Sequence, residues 1–299
     1  MNVGGSDELA ERFEENRGHL RGVAYRMLGS ASEADDAVQE TWLRLSRADV
    51  SGMENLAGWL TTVAARVCLD MLRARSSRRE EPLEKQAAVM PLRKMDPEQE
   101  AALADAVGGA LLVVLDRLEP AERLAFVLHD VFAVPFEEIA PIVGRSETAA
   151  RQLASRARKR VHGAAGTGCG SSAHLAEQRK IVEGFLGALR AGDFQGLLAV
   201  LDPEVVVRVD AAAGRLGAGP REVHGAENWA RGALAYSQAV QTRLVQPALV
   251  DGRVGLVLAS KGRLFRALRF TFEQGKIEQV EIVAEPANLE KVEVQLLED

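Results

Sequence analysis

Cysteine is almost absent from this chain: Cys68 and Cys169 are the only two in 299 residues, and they form no Cys-x-x-Cys pair. That count and spacing exclude a disulfide framework and a cysteine zinc site. The five histidines are not spaced as ligand pairs, so metal chemistry has no basis here and no cofactor is expected. No apolar run reaches the roughly 18 residues that span a bilayer. Met1 to Glu15 is acidic and polar, unlike a signal peptide, so a cytoplasmic protein without membrane contact is the expectation. Basic residues are outnumbered, 37 Lys and Arg against 43 Asp and Glu, for a formal net charge of −6. Any cluster of cations therefore stands out. What the chain does have is apolar material: 47% hydrophobic residues can build ordinary cores, and the length allows two domains or several small ones.

Two stretches read as linkers. Glu80 to Glu100 mixes charge with Pro82, Pro91 and Pro97, and Gly163 to Ser172 consists of small residues around Cys169. They leave three blocks, with no internal repeat. The first reads as helix: Glu8 to Leu28 broken at Gly29, then Ala34 to Ala48, then Leu56 to Arg75. Ser32 with Asp35 resembles a capping box for the second helix. There Ala37, Val38, Thr41, Trp42 and Leu45 form the buried side, while Asp35, Asp36, Gln39 and Glu40 stay outside as solvated surface or as a docking face for a basic partner. On the third helix Leu56, Leu60, Val63 and Val67 make the core stripe, Cys68 falls in the apolar pattern, and Trp59, Thr62, Arg66, Asp70 and Arg73 line another side. Arg75, Arg78 and Arg79 continue the charge. A ring and cations on an exposed helix suit melted DNA, with the ring stacked on an unpaired base; the other reading makes Trp59 a core residue.

The densest positive charge lies between Pro135 and Val161, which reads as a helix-turn-helix. Phe136, Ile139 and Ile142 fit a short amphipathic helix, Val143-Gly144-Arg145 a turn, and Ser146 the N-cap of a second helix. Ala150, Leu153, Ala154, Ala157 and Val161 share its inner stripe. Thr148, Arg151, Gln152, Ser155 and Lys159 face outward, and Arg156, Arg158 and Arg160 add charge. Short and basic side chains in the first turns suit a helix entering the major groove, where Arg and Gln reach base edges and the distal cations meet phosphate. A solvated amphipathic helix is the alternative.

Two longer patterns carry a resemblance. Glu33-Ala-Asp-Asp-Ala-Val-Gln-Glu-Thr-Trp-Leu-Arg-Leu45, followed by Gly58-Trp-Leu-Thr-Thr-Val-Ala-Ala-Arg-Val-Cys-Leu-Asp-Met-Leu-Arg-Ala-Arg75, resembles region 2 of extracytoplasmic-function sigma factors. Leu118-Glu-Pro-Ala-Glu-Arg-Leu-Ala-Phe-Val-Leu128, Pro135-Phe-Glu-Glu-Ile-Ala140 and the helix from Ser146 resemble region 4. The resemblance implies a bacterial RNA polymerase initiation factor, not an enzyme. It puts Asp35, Asp36, Gln39 and Glu40 on the clamp helices of the largest polymerase subunit, with the flap of the second-largest subunit as a further contact. The loop Arg47 to Asn55 would hold a flipped base, and Asn55, Trp59, Arg66, Arg73 and Arg75 would engage the −10 element. Arg151, Gln152, Ser155 and Arg156 would turn to the bases of the −35 duplex alongside Thr148, and Arg145, Arg158, Lys159 and Arg160 to its phosphates.

About 130 residues follow the second pattern. Leu175 to Leu189 and Phe194 to Leu201 read as helices, and Val205 to Val209, Thr242 to Leu249, Arg253 to Ser260, Leu264 to Phe272 and Lys276 to Val283 as strands. Asp251-Gly252 and Glu273-Gln-Gly275 are hairpin turns. Helices followed by a curved antiparallel sheet make an α+β domain that looks like the SnoaL-like, cone-shaped fold of the nuclear transport factor 2 superfamily. The expected architecture is thus multidomain: all-α region 2 (8–80), a linker (81–104), the all-α region 4 helix-turn-helix (105–163), a second linker (164–173) and the α+β cone (174–299). Sigma factors with such a tail form a distinct group, which implies an intramolecular contact between the tail and regions 2 and 4 that modulates activity. That group typically carries Asp-Gly-Gly-Gly-Lys where this chain has Asp210-Ala-Ala-Ala-Gly-Arg215. Asp210, Arg215, His224, Pro286 and Leu289 are the candidates for a tail pocket or regulatory role, with a small molecule as ligand, and Asp210, His224 and Glu281 are the candidates for the acid-base group that some enzymes of this fold use. Two competitors remain, a ligand-sensing DNA-binding regulator and an isomerase- or cyclase-like enzyme fused to a DNA-binding module; core polymerase binding and turnover of a tail ligand separate them.

Overall fold

Helix α1 (Val3–Leu28) stops where Gly29 turns to φ +73°. Glycine takes this left-handed backbone without the Cβ penalty. The computed structural model describes residues 3–49, 53, 55–79, 108–163, 172–213, 221–239, 245–260 and 262–297. The proline-rich linker and most of the Gly-rich one fall outside them. Helix α2 (Ala31–Leu45) begins straight after Gly29 on an extended Ser30, whose hydroxyl accepts from the Glu33 N–H at 3.5 Å. Ser30 with Glu33 is therefore the capping pair, not Ser32 with Asp35, because the helix starts three residues earlier than expected and Ser32 lies exposed inside it. Helix α3 is Leu56–Arg79, and Asn55 caps it by accepting from the Gly58 N–H at 2.8 Å.

The described residues divide into two units, those up to 79 with 115–158, and 108–114 with those from 159 onward. In the first, α1, α2 and α3 bury Phe13, Leu20, Val38, Leu45, Leu56, Leu60 and Ala64 together. Helix α4 (Gly109–Asp116) leads to α5 (Pro120–Phe126), a π-helical turn (Val127–Val131), α6 (Phe136–Val143) and α7 (Glu147–His162). Arg123 of α5 is 3% exposed, and it donates to Met27 O at 2.8 Å and to Asp116 at 3.2 Å. A buried guanidinium persists only with such partners. Cys68 is buried, and burial pushes its thiol up to about 12; it is core, as the apolar pattern indicated.

The second unit is the α+β part expected of the tail. Helices α8 (Ser172–Ala191), α9 (Phe194–Val200) and α10 (Ala226–Ala239) accompany strands β1 (Leu201–Val209), β2 (Arg221–His224), β3 (Val245–Val250), β4 (Arg253–Ser260), β5 (Arg263–Glu273), β6 (Lys276–Val283) and β7 (Val294–Gln295), with a short α11 (Pro286–Leu289) before β7. Their order in the sheet is β2-β1-β6-β5-β4-β3-β7, antiparallel except for β1 beside β6. Val205, Val207 and Val209 alternate inward along β1 and pack with Phe185, Leu197, Leu256, Phe270 and Val280. Both predicted hairpin turns form, on paired positive-φ residues Asp251-Gly252 and Gln274-Gly275. Helix α10 and strands β2 and β7 were not read from the sequence. This unit also takes in residues 108–114 and 159–162: Gln246 accepts from the Ala110 N–H at 2.9 Å, and the Leu296 N–H donates to Val161 O at 2.8 Å.

Candidate nucleic-acid interface

The helix-turn-helix forms as its sequence dictates. Phe136, Ile139, Ala140, Ile142 and Val143 are buried along α6, and Gly144 ends it at φ +67°. Ser146 accepts from the Ala149 N–H at 3.3 Å and so starts α7. Ala150, Ala154, Ala157 and Val161 are fully buried, with Leu153 partly so. That packing turns Arg145, Thr148, Arg151, Gln152, Ser155, Arg156, Arg158, Lys159 and Arg160 to the surface. Several of these cations have partners, Arg151 at helical spacing and Arg156 and Arg158 at separations that spacing could not show. Arg151 pairs with Glu147 one turn back and lies 5.0 Å from the Phe136 ring centroid. Arg156 reaches Glu122 at 2.8 Å and Arg158 reaches Asp130 at 2.6 Å.

On α3, Arg66 and Arg73 are exposed, and Trp59 is partly buried against the region's core, between the two readings offered for it. Asn55 is exposed, with its side-chain oxygen committed to the cap. Arg75 differs: it pairs with Glu33 and donates to Leu28 O at 3.4 Å, tying α3 to the start of α2. On α2, Asp35 takes a two-pronged bond from Arg21 at 2.7 and 3.2 Å, Glu40 pairs with Arg44 at 2.9 Å, and Asp36 and Gln39 are exposed. Leu43 stands 39% exposed on the same helix, an apolar residue outside the buried stripe that the sequence reading passed over.

The tail candidates do not assemble an acid-base site. The Asp210 carboxylate accepts from the backbone N–H groups of Ala213, Ala284 and Glu285 at 2.8, 2.7 and 2.7 Å. Asp210 and Glu281 line an open cavity of about 390 Å³ with Arg208, Arg269, Asn288 and Lys291, but Arg269 bridges Glu281 and Asp251. His224 is 67% exposed, 3.6 Å from Glu222, whose carboxyl the Arg208 hydrogen bond holds below its usual range. Pro286 is exposed, Leu289 is buried, and Arg215 lies outside the described residues. No group of acids, cysteines and histidines able to hold a metal occurs among the described residues.

Residues 12–78 match the Sigma-70 region 2 family and residues 108–161 the Sigma-70, region 4 family. The probable ECF RNA polymerase sigma factor SigI of Mycobacterium tuberculosis is 34% identical over 294 residues, covering 97% of this chain and 98% of its own. The chain belongs to the extracytoplasmic-function RNA polymerase sigma factors. A sigma factor binds core RNA polymerase and directs promoter-specific initiation, so its side chains recognise and position rather than make or break bonds. SigJ of the same organism is 40% identical over 265 residues, 84% of this sigma factor and 81% of SigJ. A SigJ crystal structure covers 94% of this chain and 98% of its own at 32% identity, with a TM-score of 0.45. The identity with SigI extends the relation read from the two motif blocks over nearly the whole chain.

Proposed function

We propose that α7 reads the −35 element as duplex while α3 and the residues before it engage the opened −10 strand. The observation that carries this is the outward face of α7, where Thr148, Arg151, Gln152 and Ser155 are all exposed above a buried alanine stripe. Arg and Gln there reach base edges, and Arg145, Lys159 and Arg160 meet phosphate. On α3, Trp59 offers a ring and Arg66 and Arg73 offer charge to an unpaired strand. Arg75, bonded to Glu33, serves that surface by holding α3 in place. The exposed face of α2, Asp36, Gln39 and Glu40 with Leu43 among them, docks on the clamp helices of the largest polymerase subunit, and region 4 meets the flap of the second-largest. The factor works in the cytoplasm, where polymerase and promoter are.

The tail acts in cis. Gln246 capping the start of α4 and Leu296 bonding to the end of α7 support this, because both bonds end in the span that matches region 4. The Asp210 and Arg269 networks favour a structural tail over an enzyme. Reconstitution with core polymerase and runoff transcription on genomic fragments tests both ideas, with the full chain, a chain truncated at Gly170 and Gln246→Ala. Promoter-dependent transcripts from the full chain, altered in the two variants, are expected. Equal transcription and equal polymerase affinity for all three would remove the tail from regulation.

A further inference from the structure

The cations of α7 are not equivalent. Arg156 is 56% exposed at its side chain, yet its Nε donates at 2.8 Å to Glu122, whose side chain is 5% exposed. Arg158 uses the same atom, Nε, toward Asp130 at 2.6 Å, and Asp130 is 21% exposed. Arg151 lies over Phe136, on which the His129 ring stacks at 3.9 Å and 15°. The partners come from α5, the π-helical turn and α6, none of which carries a DNA-reading residue in the scheme above. A carboxylate bonded to Nε fixes the plane of a guanidinium while its terminal amino groups point elsewhere. The π-helical turn is itself uncommon, and such turns concentrate at functional positions; here it supplies both His129 and Asp130.

We propose that Glu122 and Asp130 are positioning residues for promoter recognition, holding the Arg156 and Arg158 guanidiniums at Nε so that their terminal amino groups meet DNA in one orientation. The proposal rests on α7 being the −35 reader. Each carboxylate also offsets one positive charge on the reading surface. It therefore lowers attraction to arbitrary sequence while it sharpens the fit to the right one. Neutralising Glu122 has two opposite effects: non-specific affinity rises, because one more cation reaches phosphate, and discrimination falls, because the Arg156 plane is released. A residue that only supported the fold would weaken both kinds of binding together.

The test uses holoenzyme reconstituted from core polymerase and the full chain. Its probes are the tightest duplex selected by the wild-type factor from a randomised pool, and a scrambled duplex of equal composition. For Glu122→Gln the ratio of the two affinities is expected to fall about five- to tenfold, with tighter scrambled binding and a steeper salt dependence. Arg156→Lys, which keeps the charge and loses the fork, is expected to lower the ratio with the salt dependence unchanged. If Glu122→Gln does not fold, Asp130→Asn and Arg156→Lys carry the same readout. Unchanged ratios in the variants that fold overturn the proposal. Arg151→Ala with Gln152→Ala separates this from failure of the reading beneath it: a ratio lost there but kept in Glu122→Gln defeats the positioning role alone, and a ratio kept in both defeats α7 as the reader.

Discussion

Replacing Asp210 by Ala removes, in one step, the acceptor of three backbone N–H groups, those of Ala213, Ala284 and Glu285. Bonds from an N–H to a carboxylate contribute about 1.5–3 kcal/mol each when fully buried. Glu285 is exposed and Ala213 and Ala284 are half-buried, so about 1 kcal/mol each is the fairer figure, or about 3 kcal/mol together. Only the bonds from Ala284 and Glu285 hold the segment that follows, Ala284 to Leu296, so their loss corresponds to about 2 kcal/mol, or roughly 30-fold, in the equilibrium for its local opening. Asp251 still holds its far end by accepting from the Glu293 N–H at 2.8 Å, so the segment loosens at one end only. Native-state hydrogen exchange of the full chain reads this directly. Protection should fall about 30-fold in Asp210→Ala at residues 284–292, and less in Asp210→Asn, which keeps one acceptor oxygen. A change under threefold in Asp210→Ala would refute the reasoning, and Asp210 would have to be reconsidered as a group free for chemistry.

Arg151→Ala should weaken holoenzyme binding by about 1–3 kcal/mol and relax sequence preference near −35; footprints with unchanged selectivity would take Arg151 out of the reading set. Lys159→Ala should weaken all sequences alike and lower the salt slope by about 0.9, which titrations at several ionic strengths measure. Leu43→Lys should weaken competition for core polymerase about five- to tenfold, since a 39% exposed leucine has apolar surface left to bury and a cation does not. With Cys169 replaced by Ser, Cys68 should resist iodoacetamide at pH 8 until denaturant is added: a thiol pushed up to about 12 leaves roughly one molecule in ten thousand as thiolate. Alkylation at the rate of a free thiol would contradict its burial.

Much of this sigma factor was legible from local pattern. The α7 stripe of Ala150, Ala154, Ala157 and Val161 has helical period, and the period alone turns Thr148, Arg151, Gln152 and Ser155 outward. The Asp251-Gly252 and Gln274-Gly275 turns were visible because so few residue pairs accept two positive φ angles in a row. Helix α10 was not visible: Ala226 to Ala239 mixes Gly232, Tyr236 and polar residues, and it holds as a helix because Ala230 and Trp229 pack into the sheet's core. The α2 cap was misplaced by two residues, since Ser30 and Ser32 both precede acids and only the backbone at Gly29 chooses between them.

The sequence by itself determined the family, through the resemblance of its two long motif blocks, and, through periodicity and turn chemistry over a few residues, most of the helices and strands and which side chains on them face away from each core. Tertiary structure alone decided what each outward charge does. Arg75 finds Glu33, Arg156 finds Glu122, Arg158 finds Asp130, and Asp210 finds the backbone at Ala284 and Glu285. These partners lie tens of residues away in sequence and only 2.6–2.8 Å away where the distance is of ordinary length. Ion pairs and charge-assisted hydrogen bonds act over that range and carry no periodic signature, so chain closure selects them.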